Sequence, residues 1–122
     1  MYRSMMQVFV KESDKALEFY QKAFDAKVLC CYPDSDGLIM HAELDIYGQV
    51  MAVSESSEEN VTAGNTMMFC LEFGEGKEAV VRKIYEVLKD GAVNASPPNP
   101  CEYSSLQFVA VDKFGVWWCI YV

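Results

Sequence analysis

The four residues Asp45-Ile46-Tyr47-Gly48 recur as Asp112-Lys113-Phe114-Gly115, an offset of 67 (112 minus 45). Each block joins two apolar runs. Leu38 to Ser54 reads LIMHAELDIYGQVMAVS, and Ser105 to Ile120 reads SLQFVAVDKFGVWWCI. In the first run Leu38, Met40, Ala42, Leu44 and Ile46 fall on one face, and Ile39, His41, Glu43 and Asp45 on the other. That period of two is the pattern of a half-buried strand. Tyr47-Gly48 supplies a tight turn, glycine taking positive φ without steric cost, and Val50 to Ser54 returns as a second strand. On the repeat register His41 aligns with Phe108, Glu43 with Ala110 and Ala52 with Cys119. A repeat at fixed offset restricts the chain to an architecture in which one module is used twice.

The flanking segments agree. Residues 5 to 11 alternate as a strand, and Ser13 reads as the N-cap of a helix carrying Ala16, Leu17, Tyr20, Ala23 and Phe24 on one stripe. The helix is expected to stop near Asp25. Lys27 to Tyr32 is a third apolar run, and Asp34 to Gly37 a turn. After the polar stretch ESSEENVTAG at 55–64 the order returns. Met67 to Phe73 reads as a strand, Lys77 to Asp90 as a helix burying Val80, Val81, Ile84, Val87 and Leu88, and Gly91 as its stop. Residues 96–104, SPPNPCEYS, are expected to form an ordered but irregular loop, and their place near the end of the second copy makes them a candidate lid. The expected fold class is α+β: one domain over 1–122 with a βαβββ module at 1–54, a linker at 55–65 and a second module at 66–122.

Composition narrows the function classes. With 52% apolar residues the chain is expected to be globular. No apolar run approaches the roughly 18 residues of a membrane span. The start MYRSMMQVFVKESD has no apolar core or small-residue cleavage site, so a cytoplasmic location is the default expectation. Ten basic against eighteen acidic residues give a net charge of −8, which disfavours a polyanionic partner such as nucleic acid. The five cysteines are odd in number and form no C-x-x-C pair, so reduced and mostly buried thiols are expected.

Several strings carry a family resemblance: Ala16-Leu17-Glu18-Phe19-Tyr20 with Ala23-Phe24, then Met40-His41-Ala42-Glu43-Leu44, and Asp112-Lys113-Phe114-Gly115-Val116-Trp117-Trp118. Together they make the chain resemble the PhnB-like branch of the glyoxalase/bleomycin-resistance group, the vicinal oxygen chelate superfamily. The resemblance spans nearly the whole chain in order. It implies two βαβββ units whose strands make a curved, cavity-enclosing sheet with helices outside, and it implies a homodimer.

If the helices cover the apolar face, parity sends the other set into a ligand pocket: Met5, Gln7, Phe9, His41, Glu43, Ala52, Ser54, Phe108, Trp117, Cys119 and Tyr121. Aromatic walls with a few convergent polar groups suit a small molecule. Metal-dependent relatives hold a divalent ion with His, Glu or Gln at positions that fall here near Met5, Ala52, Met67 or Met68, and Cys119. None of these offers an imidazole or carboxylate, so no metal and no other cofactor is expected. The methyltransferase name attached to many relatives would require an S-adenosylmethionine site, and no glycine-rich turn of a Rossmann-like unit is present.

Two readings stand for His41 with Glu43: an acid–base or ligand-binding pair, or a satisfied polar residue in a wet pocket or dimer contact. Cys119 reads either as a nucleophile or as a buried inert thiol. The chain is therefore expected to be a metal-free small-molecule binder. The alternative is a glyoxalase-like lyase, dioxygenase or transferase using a divalent metal or the His41/Glu43 pair.

Overall fold

Two compact units, Met1–Val61 and Thr62–Val122, make up the computed structural model, which describes residues 1–122. The first contains β1 (Met6–Val10), α1 (Ser13–Phe24), β2 (Lys27–Pro33), β3 (Ile39–Ile46) and β4 (Gln49–Glu55). The second contains β5 (Phe69–Glu72), α2 (Glu78–Leu88), β6 (Asn94–Ala95), β7 (Asn99–Cys101), β8 (Ser104–Val111) and β9 (Trp117–Tyr121). One sheet has the order β1-β4-β3-β2, and the other β5-β9-β8-β6 with β7 also paired to β8. In both, the first strand lies parallel to the last, and the last two strands form an antiparallel hairpin. The fold is α+β, with one module used twice.

Helix α1 buries Ala16, Leu17, Phe19, Tyr20, Ala23 and Phe24 against its own sheet, whose covered face carries Val8, Val10, Ala42, Leu44, Met51 and Val53. It ends at Asp25, which takes the left-handed conformation at φ 46° while Ala26 N–H bonds back to Gln21 O at 3.0 Å. Aspartate is among the few non-glycine residues that accept this cap. Its start departs from expectation. Ser13 lies inside the helix, not at the N-cap, because its buried hydroxyl is taken by Ile39 N–H at 2.8 Å. The Ser13 N–H in turn donates to Glu55 Oε1 at 2.9 Å, so a strand residue satisfies the helix end that a cap would otherwise serve.

The first hairpin turns through Tyr47 and Gly48, both at positive φ (57° and 92°), the signature of a tight primed turn. Asp45 Oδ1 accepts Gly48 N–H at 2.7 Å. The second hairpin is longer. Val111 pairs with Trp117 across residues 112–116, whereas Asp45 pairs with Val50 across residues 46–49. One extra residue in the turn moves β8 by one position, and in a strand that exchanges its faces. Gln107 and Val109, not Phe108 and Ala110, are thus the counterparts of His41 and Glu43.

Phe108 consequently does not line a pocket. It pairs with Ile120, is fully buried, and meets the Tyr85 ring of α2 edge-on at 5.3 Å. Met40 is displaced as well. Tyr32 and Pro33 lie opposite His41 and Ile39, which leaves Met40 as the extra residue of a β-bulge, 66% exposed, while Ile39 takes the buried side. Part of 96–104 also proves regular, since Asn99 and Cys101 pair with Gln107 and Ser104 of β8. Pro100 between them offers no donor, and the register breaks there, as befits an edge strand.

Asp112 holds the second turn together. Fully buried, its Oδ1 accepts Phe114 N–H and Val116 N–H at 2.8 and 3.1 Å, and its Oδ2 accepts the Trp118 indole N–H at 2.9 Å. Removing a buried carboxylate that serves three donors should cost about 3 kcal/mol or more. Asp112→Ala is expected to show that loss in chemical denaturation followed by Trp fluorescence. Asp45→Ala, which frees one exposed donor, should cost under about 1 kcal/mol. Equal losses would contradict this account of the two turns.

Candidate ligand site

Glu43 lies in the middle of β3, on the face away from α1. Its neighbour across β4 is Ala52, and beyond that Gln7 of β1. A methyl group beside the carboxylate leaves space on that face. Ser54 pairs with Phe9 one step along, and the Gln7 amide donates to Ser54 Oγ at 3.2 Å. Among the residues expected to line a pocket, the first unit therefore places Gln7, Phe9, His41, Glu43, Ala52 and Ser54 on one sheet face. Met5 just precedes β1 and is half-buried. Phe9 stands 63% exposed there.

Two residues join this face without having been expected. Arg3, in the segment before β1, makes a two-pronged contact: Nη1 donates to Glu43 Oε2 and Nη2 to Oε1, both at 2.8 Å. Cys30 pairs directly with Glu43, because Leu29 is the extra residue of a second bulge between Val28 and Cys30. Without that bulge Leu29 would stand opposite the carboxylate. The KVLCCY run has no alternation from which a bulge could be read. A lone arginine near a chain end likewise gives no pairing signal.

Glu43 is buried, yet no backbone N–H reaches it. Its bonds are the Arg3 pair and His41 Nε2 to Oε1 at 3.0 Å. The Arg3 guanidinium first, and His41 second, hold the carboxyl down at about 2, against the opposing effect of burial. The group is thus an ionised acceptor, so the bonded Nε2 must carry a proton. Glu43 is a poor base at neutral pH. The chemistry it supports is orientation of His41 and electrostatic recognition.

In the second unit Trp117, Cys119 and Tyr121 alternate along one face of β9. Gln107 Nε2 donates to Cys119 Sγ at 3.4 Å, and Cys70 lies opposite Cys119 on β5. Burial, then the Cys119 thiol, raises the Cys70 pKa. Neither Gln107 nor Cys70 is a base that would activate Cys119, so the inert-thiol reading fits its surroundings. Tyr121 meets Tyr103 edge-on at 5.3 Å, and the Trp117 indole nitrogen is buried without a hydrogen-bond partner.

Residues 4–120 match the family described as the Glyoxalase/Bleomycin resistance protein/Dioxygenase superfamily, and the chain belongs to it. Its fold resembles that of a PhnB protein from Bacillus cereus, provisionally described as a 3-demethylubiquinone-9 3-methyltransferase, with TM-score 0.81, 19% identity and 98% of each chain covered. Protein PA1353 from Pseudomonas aeruginosa gives TM-score 0.82 at 16% identity, covering 99% of this chain and 97% of that one. The fosfomycin resistance protein FosX from Listeria monocytogenes, solved with Mn(II) and 1S,2S-dihydroxypropylphosphonic acid, gives TM-score 0.72 at 16% identity over 98% and 90%. No curated protein matches. No helix is long and apolar enough to cross a membrane.

The pairing makes a pH prediction. A carboxyl held at about 2 in the folded chain, against an ordinary 4.5, adds stability above the ordinary value. That stability is lost as pH falls from there towards 2. In ¹³C NMR titration Glu43 should titrate near 2 in the wild type and move up towards the ordinary range in Arg3→Gln, whose acid unfolding should lose slope over the same interval. An ordinary Glu43 titration in the wild type would remove the pairing.

Proposed function

We propose that this chain is a small-molecule-binding member of its superfamily, acting as a homodimer without an ion at the family's metal positions. Arg3, Glu43 and His41 supply the polar recognition. The observation that carries this reading is the contrast between the two buried carboxylates. Asp112 is spent on backbone and indole donors inside a turn, a structural use. Glu43 binds no backbone at all and is held only by Arg3 and His41, whose side chains are 46% and 36% exposed. A buried charge whose partners are open to solvent is arranged for recognition more than for packing.

Exposed Phe9 and Tyr32 share this face and offer flat surfaces for a planar or amphipathic ligand. The donor set at the family's ion positions is a thioether, a methyl group, another thioether and a thiol, which do not suit a hard divalent cation. Exposed Leu29, Met40 and Tyr32 give a second copy apolar surface to cover. Five free thiols, of which only Cys119 is buried and not most of them as expected, suit the reducing cytoplasm. The methyltransferase description of the Bacillus cereus relative finds no cofactor-binding turn in this sequence. The second reading, an enzyme, is favoured by the 3.0 Å contact that orients His41 and leaves Nδ1 free to act as a base.

The test is equilibrium binding of the fluorescent amphiphile anilinonaphthalene sulfonate to the full chain, with light scattering for the dimer. His41→Ala and Glu43→Gln are each expected to weaken binding by roughly tenfold while the circular dichroism is retained. Unchanged affinity in both variants would overturn the site assignment.

A further inference from the structure

Cys30, His41 and Glu43 each present one donor atom, and the three atoms lie within 4.8 Å of one another. They come from adjacent strands of one sheet: Cys30 on β2, and His41 and Glu43 on β3. None occupies the positions at which the superfamily's ion falls in this sequence. From this cluster we infer a metal site outside the family's positions, for a borderline divalent ion of the zinc type, whose occupancy is in competition with the Arg3 guanidinium.

The donor set selects the ion. One thiolate, one imidazole and one carboxylate match zinc chemistry and exclude magnesium and calcium, which require oxygen donors. Bonds of about 2.0–2.3 Å at tetrahedral angles hold donor atoms roughly 3.3–3.8 Å apart. The cluster therefore needs a contraction of at most about 1.0–1.5 Å, within reach of side-chain rotation. Three protein donors leave a fourth position for water or a ligand, the arrangement of an exchangeable site and not of a closed structural one.

Charge balance explains the competition. With Arg3 in place, guanidinium and carboxylate sum to zero. When a dication binds, the coordinating thiolate, the carboxylate and the ion again sum to zero. Arg3 is then surplus. It is half-exposed and precedes the first strand, so it can turn into solvent without breaking the sheet. Arg3 thus acts as a built-in counter-ion that the metal displaces.

The experiment uses the full chain with Co²⁺ as a visible probe and Zn²⁺ as competitor, in the absence of any organic ligand. The inference shares residues with the proposed function, but ion uptake can fail while amphiphile binding stands, and the reverse. Expected are one-to-one Co²⁺ binding with a sulfur-to-metal charge-transfer band, loss of that band in Cys30→Ser, and about tenfold tighter binding in Arg3→Gln. Alkylation of the unaltered chain, mapped by mass spectrometry, needs no variant. Zn²⁺ should protect Cys30 and leave Cys31, its exposed neighbour on the same strand, unprotected. Equal alkylation of Cys30 with and without Zn²⁺ would overturn the inference. So would a thiolate band that survives Cys30→Ser, or Co²⁺ affinity that falls in Arg3→Gln.

Discussion

A carboxylate withdrawn from water must find opposite charge or donors, and in this chain Glu43 finds both in side chains alone. That constraint organises the open face of the first unit. It draws the segment before β1 back onto the sheet through Arg3 and holds the His41 ring, while the Leu29 bulge sets the Cys30 thiol near the same carboxylate. The rest of the unit supplies the platform. α1 covers the opposite face with Tyr20 and Phe24, and the buried Ser13 hydroxyl and Glu55 carboxylate lock the helix start to β3 and β4. A rigid sheet beneath three convergent polar side chains holds their geometry better than a loop would.

The two units use the same module differently. The positions of His41 and Glu43 in the first unit are Gln107 and Val109 in the second, and Ala52 is matched by Cys119. The second face therefore carries an amide, an aliphatic group and thiols where the first carries an ionic network. Its buried carboxylate, Asp112, has been moved into the turn and consumed by local hydrogen bonds. Both halves share one backbone plan; the buried ionic network lies in one of them.

Much of this was legible in the residues. The repeated Asp-x-x-Gly turn and the apolar stripes of both helices predicted the βαβββ module and its reuse, and period-two parity put His41 and Glu43 on one face. What escaped were single-residue irregularities. Parity passes unchanged only through strands of constant register. An extra residue in the 112–116 turn sent Phe108 to the core, a bulge at Met40 turned that side chain outward, and another at Leu29 delivered Cys30 to Glu43. Arg3 was invisible for a different reason: an ion pair spanning forty residues of sequence leaves no periodic trace. Ser13 satisfied the composition rule for a cap, yet tertiary demand for its hydroxyl from Ile39 outweighed the local preference.

The proposed role of the Arg3–Glu43–His41 network is recognition: its pairing favours ionised over protonated Glu43, yet adds no stability over an apolar cluster of similar size. The most direct test replaces all three at once with apolar residues of similar size (Arg3→Met, His41→Leu, Glu43→Met) and measures the denaturation midpoint. A network retained for binding should be replaceable at no loss, with the midpoint unchanged or higher, because burying charge already costs what the pairing returns. A midpoint that falls well below the wild type would show instead that the network is kept to hold the fold together.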